Sequence, residues 1–178
     1  MLNYGRVKRE IERRQFVSAL GMSGWKTNRI ALFLGAISSP FLGLLAVFDT
    51  ERSPQTHLLF VLLFFPLMVA YVLVNNRVHG IVSEHLRSTS QSSDVLALAE
   101  RSLRLKTAIA KVLIFFVALY LPVGMSLVTD WYDYRNDVTI HTFRAVCQHI
   151  CVVCLMCYFG TFFLDFGDLT MTIIQYED

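Results

Sequence analysis

The sequence predicts an all-α polytopic membrane protein, a bundle of four transmembrane helices with both termini on the cytoplasmic side. Its 178 residues are 54% hydrophobic and only 17% charged, whereas a soluble domain carries about 25% charged residues. A chain this short and apolar cannot bury its surplus in one water-soluble core, because a small domain exposes much of its surface. The composition therefore excludes an ordinary soluble enzyme, and its low charge excludes a disordered chain.

Long apolar segments set the predicted spans. A helix needs about 20 mostly apolar residues to cross the hydrocarbon core, and continuous runs favour helices over the alternating strands of a barrel. The segments are 30–48, 58–74, 108–128 and 145–164. They define a membrane domain over 30–166 with an inner loop at 75–107, preceded by a basic segment (1–29) and followed by an acidic cytoplasmic tail (167–178).

The distribution of Lys and Arg orients these spans, since basic residues mark the cytoplasmic side. The segment before the first span and the inner loop are both rich in Lys and Arg. In contrast, the loop between the first two spans holds only Arg52, and the last loop holds Arg135 with Arg144 at its edge. Both termini and the inner loop are therefore predicted to be cytoplasmic.

The N-terminal segment is basic and has no cleavable signal sequence, because the first apolar run is a full span. Its Arg9, Arg13 and Arg14 are candidate contacts to lipid or to a partner. They would suit a short helix on an anionic membrane surface, or a solvated basic tail that only fixes topology. Glu10 and Glu12 argue against a mitochondrial presequence, which is poor in acids. We therefore expect an endomembrane or the plasma membrane rather than the mitochondrial inner membrane.

The inner loop contains a predicted helix. Ser93 suits a helix N-cap and Asp94 the first turn, and apolar residues recur at helical spacing from Val95 onward. We expect this helix to lie along the inner membrane surface and to continue into the third span. The polar run 87–93 is interpreted as a flexible linker, with phosphorylation as the alternative.

The outer loops carry aromatic, acidic and histidine residues. Trp131 and Tyr132 suit the aromatic belt at the membrane interface and are candidate lipid or partner contacts. Aspartates and glutamates of both outer loops accompany His57 and His141, which are further candidates. Such a face could bind a divalent cation or respond to pH. Its spacing matches no specific ligand set, and no metal site is predicted.

The fourth span contains all four cysteines. Their spacing forms one stripe on a helix, which neither converges four ligands on a zinc ion nor brings two sulfurs into disulfide geometry. We therefore expect them to act as small apolar residues in helix packing, with acylation of Cys154 or Cys157 as the alternative.

Gln148 and His149 lie about one turn inside the same span. Polar groups are costly in lipid and normally face a partner or a cavity. One hypothesis is a headgroup-contacting or proton-handling site near the outer leaflet. The alternative, which we favour, is an interhelical hydrogen bond from His149 to Tyr120, Ser38 or Ser39.

Motifs of catalysis and of nucleotide binding are missing from the sequence. Asp165-Phe166-Gly167 matches the magnesium motif of protein kinases, but it follows a membrane helix and lacks the other kinase motifs. A net charge of +2, with basic residues already explained by topology, gives no support to nucleic-acid binding. We expect neither an enzyme nor a cofactor.

Short motifs along the chain carry a resemblance to a known group. They are Asn28-Arg-Ile-Ala-Leu-Phe-Leu-Gly, Ala46-Val-Phe-Asp, His57 at the start of the second span, Ala145-Val-Cys-Gln-His, and Thr161-Phe-Phe-Leu-Asp-Phe. They resemble the DRAM-type superfamily, which includes damage-regulated autophagy modulators, Golgi GPI-lipid-remodelling proteins and fungal relatives linked to phosphatidylinositol 4-kinase. The similarity covers about 28–166. That family usually has six spans, so the resemblance implies that this chain lacks the first two, and Gln148-His149 replaces the family's acid-aromatic pair.

The resemblance implies a non-enzymatic membrane modulator or scaffold that affects lipid organisation, autophagy or the localisation of a partner. Its partners would be membrane lipids, a protein in the membrane and, in a homo-oligomer, a second copy. The alternative is an accessory subunit of a larger membrane complex, such as a respiratory assembly or a channel. A lipid enzyme or transporter would need Gln148, His149, His57 and His141 to converge near the outer interface. It is the least favoured hypothesis, because four helices leave little room for a gated pathway unless the chain oligomerises.

Overall fold

The computed structural model describes residues 2–48, 53–88, 93–128 and 138–163, with side chains described from Gly24 onward except at 86, 93–95 and 123–128. The described residues form four helices: α1 (Leu2–Val47), α2 (Pro54–Ser88), α3 (Ser93–Val128) and α4 (Val138–Gly160). All four contain a segment long and apolar enough to cross a membrane, namely Gly24–Val47, Pro54–His85, Leu96–Pro122 and Val138–Gly160. The predicted all-α membrane architecture is confirmed, whereas the sidedness of the termini stays a prediction.

The helices extend well beyond the predicted spans. The 46 residues of α1 correspond to about 69 Å of helix, more than twice the ~30 Å hydrocarbon core. The basic N-terminal segment thus continues the helix of the first span. Most of the predicted inner loop is helical as well, because α2 reaches Ser88 and α3 begins at Ser93. The predicted helix from Ser93 does continue into the third span.

Local sequence explains how the helices begin and how they tolerate proline. At the start of α2, the carbonyl of Ser53 accepts a hydrogen bond from the backbone N–H of His57 (2.9 Å), and Pro54 occupies the first helical position, where no N–H is needed. Pro40, Pro66 and Pro122 lie inside helices. Transmembrane helices accommodate such prolines because neighbouring groups satisfy the freed carbonyls.

Successive helices pack as antiparallel neighbours, α1 on α2, α2 on α3 and α3 on α4. At one end of the bundle the ring of Phe60 lies 5.5 Å from that of Phe48. At the other end the Asn75 side chain bonds to Tyr158, and Lys106 of α3 lies beside the chain that leaves α4. We call this second end, with Lys106 and the end of α4, the basic end.

The hydrophobic core is built by α2, α3 and α4. It comprises Leu58, Val61, Phe64, Phe65, Met68 and Val72 of α2, Ala110, Leu113, Val117 and Tyr120 of α3, and Cys147, Cys151, Cys154, Leu155 and Tyr158 of α4. Helix α1 adds only partly buried residues to this cluster, Phe41 and Leu45. Arg87 pairs with Glu100 and so joins the end of α2 to the start of α3. This hydrogen bond raises the pKa of Arg87, which lies after the apolar segment of α2.

Candidate functional site

Two of the histidines that the sequence singles out, His57 and His141, lie near the starts of two different helices, α2 and α4. His57, in the first turn of α2, donates its Nδ1–H to the carbonyl oxygen of Phe48 at 2.6 Å, because a carbonyl can only accept. It therefore links the end of α1 to the start of α2. His141 is half-buried in the first turn of α4. No hydrogen bond between described residues joins these two histidines.

The interhelical hydrogen bond predicted for His149 is wrong, whereas its candidate contact with lipid or a partner stays a prediction. Its side chain is exposed, and its Nδ1–H donates to the carbonyl oxygen of Ala145, one turn back in the same helix, at 2.7 Å. Because His149 lies on the outside of its helix, its ring bonds to a backbone carbonyl of the same helix and not to Tyr120, Ser38 or Ser39. The Ser38 hydroxyl likewise bonds within its own helix, to the Gly35 carbonyl (2.9 Å). Gln148 is half-buried beside His149.

The remaining candidate site residues lie in parts of the chain that the structure describes only in part or not at all. Trp131 and Tyr132 fall outside the described residues, as does the Asp165-Phe166-Gly167 motif. The backbone at Arg9, Arg13 and Arg14 belongs to α1, but their side chains are outside the described set. Within the described part of the chain, no group of three or more His, Cys, Asp or Glu side chains could hold a metal ion.

The cysteine stripe faces the bundle, as the spacing predicts. Cys147, Cys151 and Cys154 are buried free thiols, and Cys157 is an exposed one. The three buried residues belong to the core shared with α3. The packing interpretation agrees with this arrangement, and Cys157 departs from the buried stripe because it lies farthest around the helix.

A polar network that the sequence analysis missed joins α2 to α4 at the basic end. The amide of Asn75 donates to the hydroxyl oxygen of Tyr158 (2.9 Å), and this hydroxyl donates to Oδ1 of Asn76 (2.7 Å). Tyr158 is fully buried. By sequence, Asn75 and Asn76 belong to the predicted inner loop, 75–107, although Asn side chains commonly form hydrogen bonds between membrane helices.

Lys106 lies fully buried near this network. Its ammonium group donates to the Ser102 hydroxyl one turn earlier (3.0 Å) and lies 4.9 Å from the ring centroid of Phe162. The same ring lies 6.2 Å from that of His79 on α2. By sequence, Lys106 is one of the basic residues of the inner loop that indicate topology, yet in the structure it ties α3 to the chain that follows α4.

The third feature is an apolar groove of about 500 Å³ that opens on the side of the bundle. Helix α1 forms one wall, α2 the floor, and Phe159 of α4 contributes to the other side. Helix α1 approaches α2 closely here: a Cβ added to Gly35 would lie only 3.4 Å from the ring of Tyr71. The groove therefore lies between helix surfaces that belong to the membrane spans.

These features define a class: a polytopic α-helical membrane protein in which a few described polar groups, such as Tyr158 with Asn75 and Asn76, join one helix to another. The chain belongs to the Frag1/DRAM/Sfk1/Cwh43P family, since the family model of that N-terminal domain matches residues 1–169. This confirms the resemblance and extends it through the basic N-terminal segment. Comparison with curated proteins and with solved structures returned no match.

Proposed function

We propose that this protein is a non-enzymatic modulator or scaffold of an endomembrane or of the plasma membrane, acting on lipid organisation, autophagy or the localisation of a partner. Its membership of the Frag1/DRAM/Sfk1/Cwh43P family supports this proposal. The observation that carries it is the use of the buried polar groups. Tyr158 of α4 bonds to Asn75 and Asn76 of α2. The ammonium group of Lys106 on α3 lies 4.9 Å from the centroid of the Phe162 ring, which follows α4, so these groups hold the helices to one another.

The outer surface of the bundle supports the same proposal. Large apolar side chains stay exposed along every helix, including Phe33 on α1, Leu73 on α2, Phe115 on α3 and Met156 on α4. In a bilayer this surface contacts lipid tails or other transmembrane helices, whose association depends on packing and not on a hydrophobic driving force. A scaffold offers such surfaces to lipids and partners without chemical change in either.

The test is purification of the full, tagged chain in mild detergent, with particle mass and quantitative mass spectrometry of bound proteins and lipids. We expect a particle of one or two copies with bound lipid and a substoichiometric partner. A stoichiometric large assembly would support the accessory-subunit alternative instead. Turnover of a phospholipid or glycolipid by the purified protein, lost in His149→Ala and His57→Ala, would replace the scaffold with an enzyme.

A further inference from the structure

The lateral groove is a feature of the described surface that the proposed function leaves unassigned. On the α1 side it is bounded by Leu32, Gly35, Ser39 and Leu42, and its floor includes Tyr71 of α2. All these residues lie within the segments Gly24–Val47 and Pro54–His85, which are long and apolar enough to span a membrane. The medium around the groove is therefore the hydrocarbon of the bilayer.

The length and width of the groove indicate which kind of molecule fits into it. The wall from Leu32 to Leu42 is about 15 Å long, the thickness of about one leaflet of the hydrocarbon core. A volume of about 500 Å³ spread over that length gives a channel about 6 Å across for the centres of the atoms that fill it, so its walls are about 9 Å apart. A helix with its side chains is about 10–12 Å across and does not enter such a channel. One hydrocarbon chain does, since carbon atoms in contact lie about 4 Å apart.

The polar groups of the groove indicate what the occupant carries. The Ser38 hydroxyl is engaged with the Gly35 carbonyl, whereas no hydrogen bond joins the hydroxyls of Ser39 or Tyr71 to another described residue. A hydroxyl in an apolar environment without a partner is costly. A ligand with an apolar chain and an acceptor oxygen would satisfy the Tyr71 hydroxyl.

The position of Tyr71 along α2 indicates at what depth in the bilayer the acceptor oxygen would lie. Tyr71 lies one turn, about 6 Å, from Asn75, and Asn75 belongs to the polar network at the basic end. From Tyr71 the groove runs along α2 past Met68 to Phe64, about 10 Å towards the opposite end of the bundle. This geometry suits a lipid whose ester group lies near the basic end and whose chain points towards the middle of the bilayer.

We propose that the groove binds a single acyl chain of a glycerophospholipid from the leaflet at the basic end, and that the Tyr71 hydroxyl donates a hydrogen bond to its ester carbonyl. The proposal deepens the proposed function by naming a lipid site, but the groove could hold a lipid in a protein with any role. Its failure would leave the partner interactions of a scaffold intact, so the two are tested separately.

The experiment uses the full chain in nanodiscs of phosphatidylcholine that carries a diazirine in one acyl chain, followed by photolysis and mass-spectrometric mapping of the adducts. Ser39→Phe fills the groove from the α1 wall. Gly43→Phe is the matched control, because a Cβ added there would meet no atom within 4 Å and Gly43 lies outside the groove lining. Thermal unfolding of each variant verifies that the bundle is intact.

We expect adducts to concentrate on the groove floor at Phe64, Met68 and Tyr71, to fall several-fold in Ser39→Phe and to be unchanged in Gly43→Phe. Tyr71→Phe should keep the adducts in the groove but lower the amount of phospholipid retained through detergent purification. Adducts at equal density on exposed residues outside the groove, such as Val153 and Met156, would overturn the proposal. So would displacement of the acyl chain by a sterol, or crosslinking of the groove to a second copy.

Discussion

Helix α1 and the three-helix core of α2, α3 and α4 differ in how they are held. In α2, 33% of the apolar span is buried within the protein, and in α1 only 11%. The buried side chains described on α1 are both small, Ala31 and Ser38. The core instead buries large residues such as Tyr120 and Tyr158, and the half-buried Asn75 and Asn76 bond to Tyr158.

This difference predicts which substitutions change the stability of the bundle and which change the surface that it offers for binding. The core helices interlock through aromatic rings, for example Phe65 and Tyr120 with centroids 6.1 Å apart, and through the network at Tyr158. Helix α1 lies against α2 at Gly35 and through the rings of Phe41 and Phe60, 6.2 Å apart. Substitutions in the core should therefore change the free energy of unfolding, whereas those on the groove face of α1 should change binding.

The largest expected effect is the loss of Tyr158 from the core. Tyr158→Ala leaves a cavity and removes the hydroxyl that Asn75 and Asn76 share, and such truncations cost about 3–5 kcal/mol. Reversible unfolding in mixed micelles measures the change. Phe163→Ala is the control, since that ring is 82% exposed; equal losses in the two variants would contradict the assignment of Tyr158 to the core.

A smaller loss is expected from neutralising the buried lysine. Lys106→Met keeps most of the aliphatic stem but loses the bond to Ser102 and the contact with the Phe162 ring, for about 2 kcal/mol. Lys111→Met, on the exposed side of the same helix, should change stability by less than about 0.5 kcal/mol. The same unfolding assay compares both; a more stable Lys106→Met would contradict the interpretation.

The hydroxyl of Tyr158 alone should contribute less than its whole ring. Tyr158→Phe removes its hydrogen bonds at nearly constant volume, for about 1–2 kcal/mol, near the upper limit measured between membrane helices. A double-mutant cycle with Asn76→Ala isolates the pair. A coupling energy of zero would show that the bond between Tyr158 and Asn76 does not join α2 to α4.

The smallest stability change is expected where α1 meets α2 at the opposite end. His57→Ala removes the hydrogen bond to the Phe48 carbonyl, for about 0.5–1 kcal/mol. Hydrogen exchange should show faster opening of the last turn of α1 and unchanged protection at the Tyr158 network. His141→Ala is the control in the neighbouring helix, and a loss of protection across the whole bundle would contradict the separation of α1 from the core.

Much of the fold could be predicted because membrane insertion depends on local composition. An apolar run of about 20 residues must be helical in lipid, since every backbone group has to bond within the segment. The apolar runs alone predicted helices shorter than the observed α2 and α3, which continue through most of 75–107. A helix does not need to stop at the membrane boundary. The stripe of Cys147, Cys151 and Cys154 was predictable for the same local reason, the 3.6-residue period.

The sequence by itself determined the membrane class, the four spans and the family. Only the tertiary structure decided which polar residues meet: Asn75 and Tyr158 are 83 positions apart and bond to each other, whereas His149, which the sequence singles out, bonds within its own turn. The physical reason is that helical periodicity orders side chains along one helix, whereas a contact between helices depends on how ridges, small residues and crossing positions fit together in three dimensions.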